Sequence, residues 1–372
     1  MIYILFLIPF MAFSIAEVAG MQAINRKAIL IGLTTILILF VGLRYHTGAD
    51  WHGYINMFNN YHQEGMNREI GYMFLNRVFK RLIDNYYVLQ FAVTCFVCIS
   101  FYKFIAKYSK YPIVSLFLFI IFFMYNILMA QVRQSIAIAI ILFSTQYIFD
   151  RKALKFLMMI ALACLFHISA IVAISLYFFN KNWGKIIPVI LVSISLIFYY
   201  KYDIVLLAVS IVAPFLPERL SLLAIHYLEI ARQGNFGIAF IGTTALNLFL
   251  IIFFKPKNDK NCFFFNIIVV SSIIASASKG MDALDRLQSY YLVYATISYT
   301  YLFMLFDFKK IRELFFLYLC CILLFFAIPF ERIRLNHFVS ELSKRDVQYQ
   351  WVPYYNVLYH PYNAQFRKDW TE

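Results

Sequence analysis

Long apolar runs recur along the whole chain, and they constrain its fold more than any other feature. Only 14% of the 372 residues are charged, whereas soluble domains carry about 25%, so this chain could not cover its own surface in water. Period-two alternation of apolar and polar residues is absent, which favours helices over strands. We therefore predict an all-α polytopic membrane protein with about 12 transmembrane helices, at residues 2–20, 28–43, 86–105, 112–129, 134–149, 153–166, 168–180, 185–200, 236–254, 262–278, 287–306 and 313–330.

Lysine and arginine concentrate in alternate breaks between these runs, and this distribution predicts the orientation of the chain. Alternate breaks, with their basic residues in the stretches 26–27, 103–110, 151–155, 181–185, 255–260 and 309–312, hold 16 basic and five acidic residues, a net charge of +11, whereas the rest of the chain holds 17 basic and 14 acidic residues, a net charge of +3. By the positive-inside rule these breaks face the cytoplasm. The net charge of +14 is therefore mainly a topology signal, and we predict no nucleic-acid partner.

The long connections then share the external face of a single integral membrane domain, residues 1–372. They are the first external loop, the middle segment and the C-terminal tail, at residues 44–85, 201–235 and 331–372. The first loop is predicted as a coil followed by an amphipathic helix, since apolar residues recur at helical spacing from Ile70. Within the middle segment, the stretch 204–216 is short and contains Pro214. Both features favour a re-entrant or interfacial helix, and a membrane span remains the alternative. Because the long connections all lie on one face, we predict that the function is carried out at the external face of the membrane.

Charged residues directly follow the second predicted span. Arg44 and Asp50 lie among Gly42, Gly48 and Gly53, and glycines permit the backbone to approach a ligand closely. An arginine and a carboxylate at the end of a span suit anion binding and acid–base chemistry at the membrane surface. The structural alternative is an interfacial arginine beside an aspartate that caps a short helix.

Later turns add charged or titratable side chains to the same predicted face. Arg133 has no carboxylate in its own loop, so its anionic partner comes from elsewhere. That partner is either a diphosphate or the carboxylate of Asp50 or Glu69. His167 interrupts an apolar region, either as a hydrogen-bonded structural residue or as an acid–base or phosphate-binding group. Arg286, in the turn before another span, is a second candidate for binding an anion.

No motif supports a nucleotide, a metal or another cofactor. P-loop, nucleophile-elbow and zinc-protease motifs are absent from the sequence. His46, Asp50 and His52 could chelate a metal, but their spacing in a coil is weak evidence. Cys95 and Cys98 lie inside a predicted span with no matching pair elsewhere, so we interpret them as packing thiols. We predict neither a metal nor a cofactor.

Several of these side chains form an ordered pattern along the chain: Arg44…Gly48-x-Asp50…Tyr54, Glu69-x-Gly71-Tyr72…Asn76, Arg133-Gln134, His167-x-Ser169-Ala170 and Arg286-x-x-x-Tyr290. This pattern, together with the order of spans and the aromatic tail, resembles the EpsG family of bacterial exopolysaccharide and capsule clusters, which is related to the Wzy polysaccharide polymerases. Trp51 departs from the smaller aromatic residue that the family often has after the aspartate, a difference that concerns the shape of the acceptor site.

The resemblance implies a glycosyltransferase at the outer face of the bacterial cytoplasmic membrane, with the GT-C-like architecture of lipid-dependent glycosyltransferases. A growing O-antigen, capsule or exopolysaccharide chain on undecaprenyl diphosphate would pass en bloc to a sugar hydroxyl of another lipid-linked repeat unit. The implied partners are the lipid-linked donor and acceptor, the lipid bilayer, a chain-length regulator and a flippase. Because diphosphate is already a good leaving group, no cofactor is required.

Roles for individual residues follow from that reaction as hypotheses. Arg133, with Arg44 or Arg286, would clamp the diphosphate and stabilise its developing charge. Asp50 would be the base for the acceptor hydroxyl, with Glu69 and His167 as rivals. Substrate binding is also assigned to Gln134, Tyr54 and Tyr72.

Two other classes of function compete with the polymerase. One is a lipid-linked-sugar ligase or single-unit glycosyltransferase, and the other is a flippase or other transporter of lipid-linked oligosaccharide. A transporter would carry its polar residues along a path at mid-membrane. The clustering of polar residues at one predicted face therefore favours the enzyme.

Overall fold

Helices dominate the computed structural model, which describes residues 2–48, 50–60, 69–200, 210–215, 221, 238–256, 258–277, 282–305, 310, 312 and 355–357. The α-helices are α1 (Ile2–Val18), α2 (Ala23–Gly42), α3 (Trp51–Asn59), α4 (Ile70–Leu82), α5 (Tyr86–Tyr108), α6 (Pro112–Phe123), α7 (Val132–Phe149), α8 (Ala153–Cys164), α9 (Ile186–Tyr200), α10 (Ile238–Phe253), α11 (Asp259–Ala277) and α12 (Asp282–Ser298).

Other elements extend or join these helices. A π-helical segment (Met124–Ala130) continues α6, and 3₁₀ segments lie at Ile168–Phe178, Ala213–Phe215 and Tyr299–Met304. Two short strands, β1 (Arg44–Tyr45) and β2 (Tyr355–Asn356), pair in antiparallel fashion, Arg44 opposite Asn356. β2 thus attaches part of the C-terminal tail to the loop after α2.

Five helical stretches are long and apolar enough to cross a membrane: Ala23–Gly42, Tyr86–Tyr108, Pro112–Ala130, Val132–Phe149 and Asp259–Ser276. Shorter apolar helices occupy Leu5–Val18, Ala153–Cys164, Ile168–Phe178, Ile186–Ile197 and Thr244–Phe253. A helix coincides with each predicted span except 313–330, which lies outside the described residues, as do most of 204–216 and of the tail 331–372. The multi-pass helical class is confirmed, whereas the count of 12 spans and the GT-C-like architecture stay predictions.

The chain forms two compact units by its internal contacts. The first comprises Met1–Tyr147, Leu154–Ile171 and Phe306–Glu372, and the second comprises Ile148–Ala153 and Val172–Leu305. The prediction of a single domain over 1–372 is untested.

In the first unit, α6 is the central helix. Nearly all of its side chains are buried, as expected for a helix that is apolar on every side. It packs against α1, α2 and α5, and Phe119 stacks on Phe101 of α5 with ring centroids 3.9 Å apart. These contacts hold the neighbouring helices in one bundle.

The helices of the first unit gather basic residues at one end. Arg26 Nη1 donates to the carbonyl oxygen of Lys110 at 3.2 Å, and Arg312 Nη1 donates to the Tyr111 hydroxyl at 3.2 Å. Lys103 and Lys107 lie in the last turns of α5, directly before this contact. We call this the basic end. Three of the six breaks that the sequence assigned to the cytoplasm therefore share one end of the bundle.

The opposite end of the first unit collects the start of α5, the end of α2 and the end of the π-helical segment. Gln90 Nε2 of α5 donates to the carbonyl oxygens of Gly42 and Arg44 at 3.0 and 2.8 Å. Arg44 in turn contacts the carbonyl oxygen of Met129. Most of the predicted site residues lie at this end.

In the second unit, α11 packs between α9 and α12. Polar side chains join α11 to α10 and α12: Asn247 Nδ2 of α10 donates to Ser272 Oγ at 2.7 Å, and Ser298 Oγ of α12 donates to the carbonyl oxygen of Phe264 at 2.7 Å. Small and hydroxylated residues at helix contacts are typical of membrane bundles.

Candidate active site

Arg44 fixes the loop that follows α2. It is only 2% exposed, and its guanidinium donates to the carbonyl oxygens of Val41 (2.7 Å), Thr47 (3.1 Å) and Met129 (3.4 Å). A buried arginine requires such acceptors because an unpaired buried charge is costly. Gly48 completes the contact: its φ is +122°, and a Cβ atom there would collide with the Met129 carbonyl oxygen. The loop is thus clamped to the end of the π-helical segment.

Gly71 fixes the start of α4 against the turn after α8. Its backbone N–H donates to the carbonyl oxygen of Leu165 at 2.8 Å, and a Cβ atom at Gly71 would lie 3.0 Å from that oxygen and 3.1 Å from the Phe166 ring. Glu69 lies two residues before Gly71, and His167 lies two residues after Leu165. This close backbone contact therefore brings the two side chains together.

Glu69 is the centre of a group of three side chains, with Arg133 and His167, that we call the Glu69 cluster. Its Oε2 accepts a hydrogen bond from Arg133 Nη1, and its Oε1 lies 2.6 Å from His167 Nδ1. The Glu69 side chain is 8% exposed, against 26% for Arg133 and 16% for His167. The arginine and the histidine are thus the more accessible members. The ion pair with Glu69 is one of the alternatives that the sequence left open for Arg133.

This arrangement gives each partner of Glu69 a defined orientation. The contact at Nδ1 leaves Nε2 as the His167 nitrogen that a ligand can meet, as in other histidines oriented by a carboxylate. Arg133 lies in the first turn of α7, where the helix dipole adds positive potential. The cluster can therefore bind an anion at Arg133 and move a proton at His167.

Tyr54 and Tyr72 line the site beside Arg133. The Cζ atom of Arg133 lies 5.9 Å from the centroid of the Tyr54 ring, which meets the Tyr72 ring edge-on at 5.5 Å. Burial raises the pKa of both phenols, with Arg133 opposing the shift, so both stay neutral near pH 7. Among the residues that the structure describes, the buried Tyr72 hydroxyl and Arg133 Nε have no hydrogen-bond partner. Both atoms therefore keep unused hydrogen-bonding capacity in this arrangement.

Aromatic rings stack in a column in the same loop region, in the order Tyr87, Tyr45, His46 and Trp51. Tyr45 lies 5.0 Å from Tyr87 and 4.1 Å from His46, and His46 lies 4.2 Å from Trp51. All of these rings are partly exposed. Such a column offers a flat apolar face with polar edges, the kind of surface on which the C–H groups of a sugar ring can lie.

The remaining predicted residues occupy different surroundings. Asp50 is exposed at the start of α3, where its side chain makes no capping hydrogen bond, and its charge contributes to raising the pKa of Tyr54. Gln134 is buried beside Arg133 in α7. Arg286 is exposed on α12, in the second unit. The predicted role of Arg286 in the same site therefore stays a prediction.

The model of the EpsG family matches residues 27–356. This chain belongs to the EpsG family. No curated protein and no solved structure matches it. The matched range contains Glu69, Arg133 and His167 as well as the two paired strands, β1 and β2.

Two glutamines of this EpsG-family protein were missed by the sequence analysis. Gln90 holds the loop after α2 through two carbonyl oxygens, and Gln131, between the π-helical segment and α7, has a buried Oε1 without a partner in the described part of the chain. Gln90 carried a detectable signal, because an uncharged polar residue early in an apolar span usually has a specific partner. Gln131 carried no such signal beyond its position two residues before Arg133.

Proposed function

We propose that this EpsG-family protein is a polysaccharide polymerase acting at the outer face of the bacterial cytoplasmic membrane. The observation that carries the proposal is the joining of Arg133 and His167 by one buried carboxylate, Glu69. A cation and a proton acceptor side by side are what glycosyl transfer from a lipid diphosphate requires. The donor and the acceptor are both undecaprenyl-diphosphate-linked glycans.

Arg133 binds the diphosphate of the donor in this scheme. Its guanidinium is partly exposed, carries a permanent charge and matches phosphate oxygens with its planar set of donors. Glu69 uses one edge of that guanidinium, and Nε is among the atoms left over. Negative charge grows on the diphosphate as the bond to the sugar breaks, so Arg133 stabilises the transition state more than the ground state.

His167 is the base that we favour for the acceptor hydroxyl. The hydroxyl oxygen attacks the anomeric carbon of the donor, the bond between that carbon and the phosphate oxygen breaks, and undecaprenyl diphosphate leaves with the electron pair. The hydroxyl proton passes to His167 Nε2, while Glu69 stabilises the resulting imidazolium. Asp50 is the competing base, since it is exposed and lies near Tyr54.

Arg44 takes a different role in this proposal from the diphosphate clamp expected from the sequence. Its guanidinium is occupied by three carbonyl oxygens and is buried, so we assign it to positioning the loop that carries Asp50. Tyr54, Tyr72 and the column that ends at Trp51 then contact the sugars of the glycan. The bilayer holds the two lipid tails, and a flippase and a chain-length regulator are the expected partners.

The proposal is tested with purified protein and a synthetic undecaprenyl-diphosphate repeat unit, by measuring chain length and released undecaprenyl diphosphate. Loss of a single transition-state donor or base lowers turnover by about 100-fold or more, which we expect for Arg133→Ala and for His167→Ala. Arg81→Ala is the matched control, because Arg81 is exposed near the end of α4. Asp50→Asn separates the two candidate bases.

Loss of elongation in Arg133→Ala protein that still unfolds cooperatively, together with full activity in Arg81→Ala, supports the site. Normal chain length in Arg133→Ala removes it from the mechanism. If Asp50→Asn is inactive and His167→Ala elongates normally, Asp50 is the base. Movement of the lipid-linked unit between leaflets without glycosidic bond formation identifies a transporter instead.

A further inference from the structure

A cavity lies at the basic end of the first unit, away from the Glu69 cluster. It has a volume of about 200 Å³, and α5 and α7 supply its lining, which includes Ser100, Lys103, Lys107, Tyr108, Phe143 and Gln146. None of these residues takes part in the proposed glycosyl transfer. The cavity therefore requires an explanation of its own.

Positive charge is concentrated at this cavity. Lys103 and Lys107 are both exposed and lie one helical turn apart on α5, where like charges repel. Among the described residues, neither lysine has a carboxylate within ion-pair distance. Lys103 Nζ lies 5.8 Å from the centroid of the Phe143 ring, and Lys107 Nζ lies 5.3 Å from that of Tyr108. An anion between the two ammonium groups would relieve their repulsion.

An apolar stripe leads from the cavity along α5. Phe96 and Ile99 are 39% and 41% exposed, and they precede Lys103 by seven and four residues, which places all three on one face of the helix. The Phe96 ring also approaches the Phe143 ring of α7, with centroids 6.0 Å apart. A ligand with a charged head and long apolar chains would match this sequence of surfaces.

We propose that the cavity binds the head group of an anionic phospholipid. The phosphodiester lies between Lys103 and Lys107, the Gln146 amide donates to head-group oxygens, and the acyl chains follow Phe96 and Ile99. Basic pockets between transmembrane helices at a cytoplasmic face bind such lipids. A free phosphate would use the lysines but has no acyl chains to place along Phe96 and Ile99, which is why the lipid is the better match.

The test uses the full-length protein in neutral detergent. Binding of phosphatidylglycerol is measured by native mass spectrometry, with phosphatidylcholine and inorganic phosphate as comparison ligands. Each lysine near an anionic lipid contributes about a fivefold gain in affinity, so Lys103→Gln/Lys107→Gln is expected to weaken phosphatidylglycerol binding by at least about tenfold. The matched control is Lys152→Gln/Lys155→Gln, which removes two exposed lysines that do not line the cavity.

A melting curve of each variant establishes that it is folded, and Lys103→Arg/Lys107→Arg should keep binding because charge is retained. Equal losses in both double glutamine variants would overturn the proposal, since the charge effect would then be general. Equal binding of phosphatidylcholine, or complete competition by inorganic phosphate, would also overturn it. We expect glycan elongation in detergent to be unchanged in both double glutamine variants, so the lipid-binding result and the polymerase proposal are tested separately.

Discussion

Glu69 is a buried negative charge that two neighbouring side chains make tolerable. A carboxylate with 8% side-chain exposure loses most of its hydration, and that loss is offset only by close opposite charge or hydrogen bonds. Arg133 and His167 provide both. The same contacts that stabilise Glu69 orient the two groups that we propose to act on substrate, so stability and function depend on one side chain.

At this scale Tyr72 gives a sharp prediction. Tyr72→Phe removes a buried hydroxyl that has no partner in the described part of the chain, so the melting temperature should stay equal or rise. If the hydroxyl binds the glycan, kcat/KM for elongation should fall by about two- to tenfold, the effect of one neutral hydrogen bond. Measurements of thermal unfolding and elongation kinetics on the same preparation check both parts.

Tyr291→Phe is the control for that substitution. The Tyr291 hydroxyl lies 2.8 Å from Ser175 Oγ and donates to the carbonyl oxygen of Val172 at 3.1 Å. Its removal should lower stability by about 1 kcal/mol and leave elongation unchanged. A loss of stability in Tyr72→Phe together with full activity would show that the Tyr72 hydroxyl is structural.

At the scale of elements, the site is built where helices stop or change type. The π-helical segment ends at Ala130 and α7 begins at Val132, so Arg133 lies at a discontinuity rather than within a regular span. The end of α8 at Cys164 and the 3₁₀ segment from Ile168 place His167 at a second break. Such interruptions occur often at functional sites because they aim side chains that a regular helix would direct elsewhere.

Gly71→Ala tests whether the α4 contact positions Glu69. The new Cβ atom would lie 3.0 Å from the Leu165 carbonyl oxygen, so α4 or the turn at Leu165 has to move by a few tenths of an ångström, and we expect this movement to disturb the contact between Glu69 and His167. We expect elongation to fall at least about tenfold and stability to fall by about 1–3 kcal/mol. Gly53→Ala in α3 is the control, because no atom lies within 4 Å of its Cβ position. Its free energy of unfolding should rise by up to about 1 kcal/mol. Equal activity in both variants would refute the positioning role.

At the scale of the whole molecule, the distant end of the chain supports the loop beside the site. β2 pairs with β1, and Val357 donates its backbone N–H to the carbonyl oxygen of Leu43 at 2.7 Å. A chain that stops after Tyr354 loses these bonds, each worth about 0.5–1.5 kcal/mol. The shorter chain should have a lower melting temperature and a lower rate of glycan elongation. A chain that stops after Val357 should have a higher melting temperature and a higher rate of elongation than the shorter one. Identical behaviour of the two truncations would show that β2 does not support the loop.

The separation of the two ends of the first unit predicts the membrane orientation. In a variant without native cysteines, Asn59→Cys at the end of α3 should react with a membrane-impermeant thiol reagent on intact cells. Lys110→Cys, at the basic end, should react only after the cells are permeabilised, because basic loops remain in the cytoplasm. Both positions are exposed. Labelling of Lys110→Cys alone in intact cells would reverse the orientation and contradict the placement of the site outside.

Local sequence was a good guide to the helices and a poor guide to the contacts of individual charges. Apolar runs located α5 and α7 within a few residues, because twenty apolar residues in succession have few alternatives to a helix in a bilayer. The same reading gave Arg44 and Arg133 similar roles. In the structure Arg44 is enclosed by three carbonyl oxygens, whereas Arg133 is partly open beside Glu69. No spacing in the sequence distinguishes these two surroundings.

The sequence by itself determined the multi-pass helical class, the concentration of basic residues in alternate breaks and the family, since all three depend on composition and order along the chain. Tertiary structure alone decided that Glu69 joins Arg133 to His167, because these residues are 64 and 98 positions from Glu69 in sequence. Their contact depends on Gly71 meeting Leu165 and on the break between the π-helical segment and α7. Contacts of that kind arise from packing between elements, which local propensity does not encode.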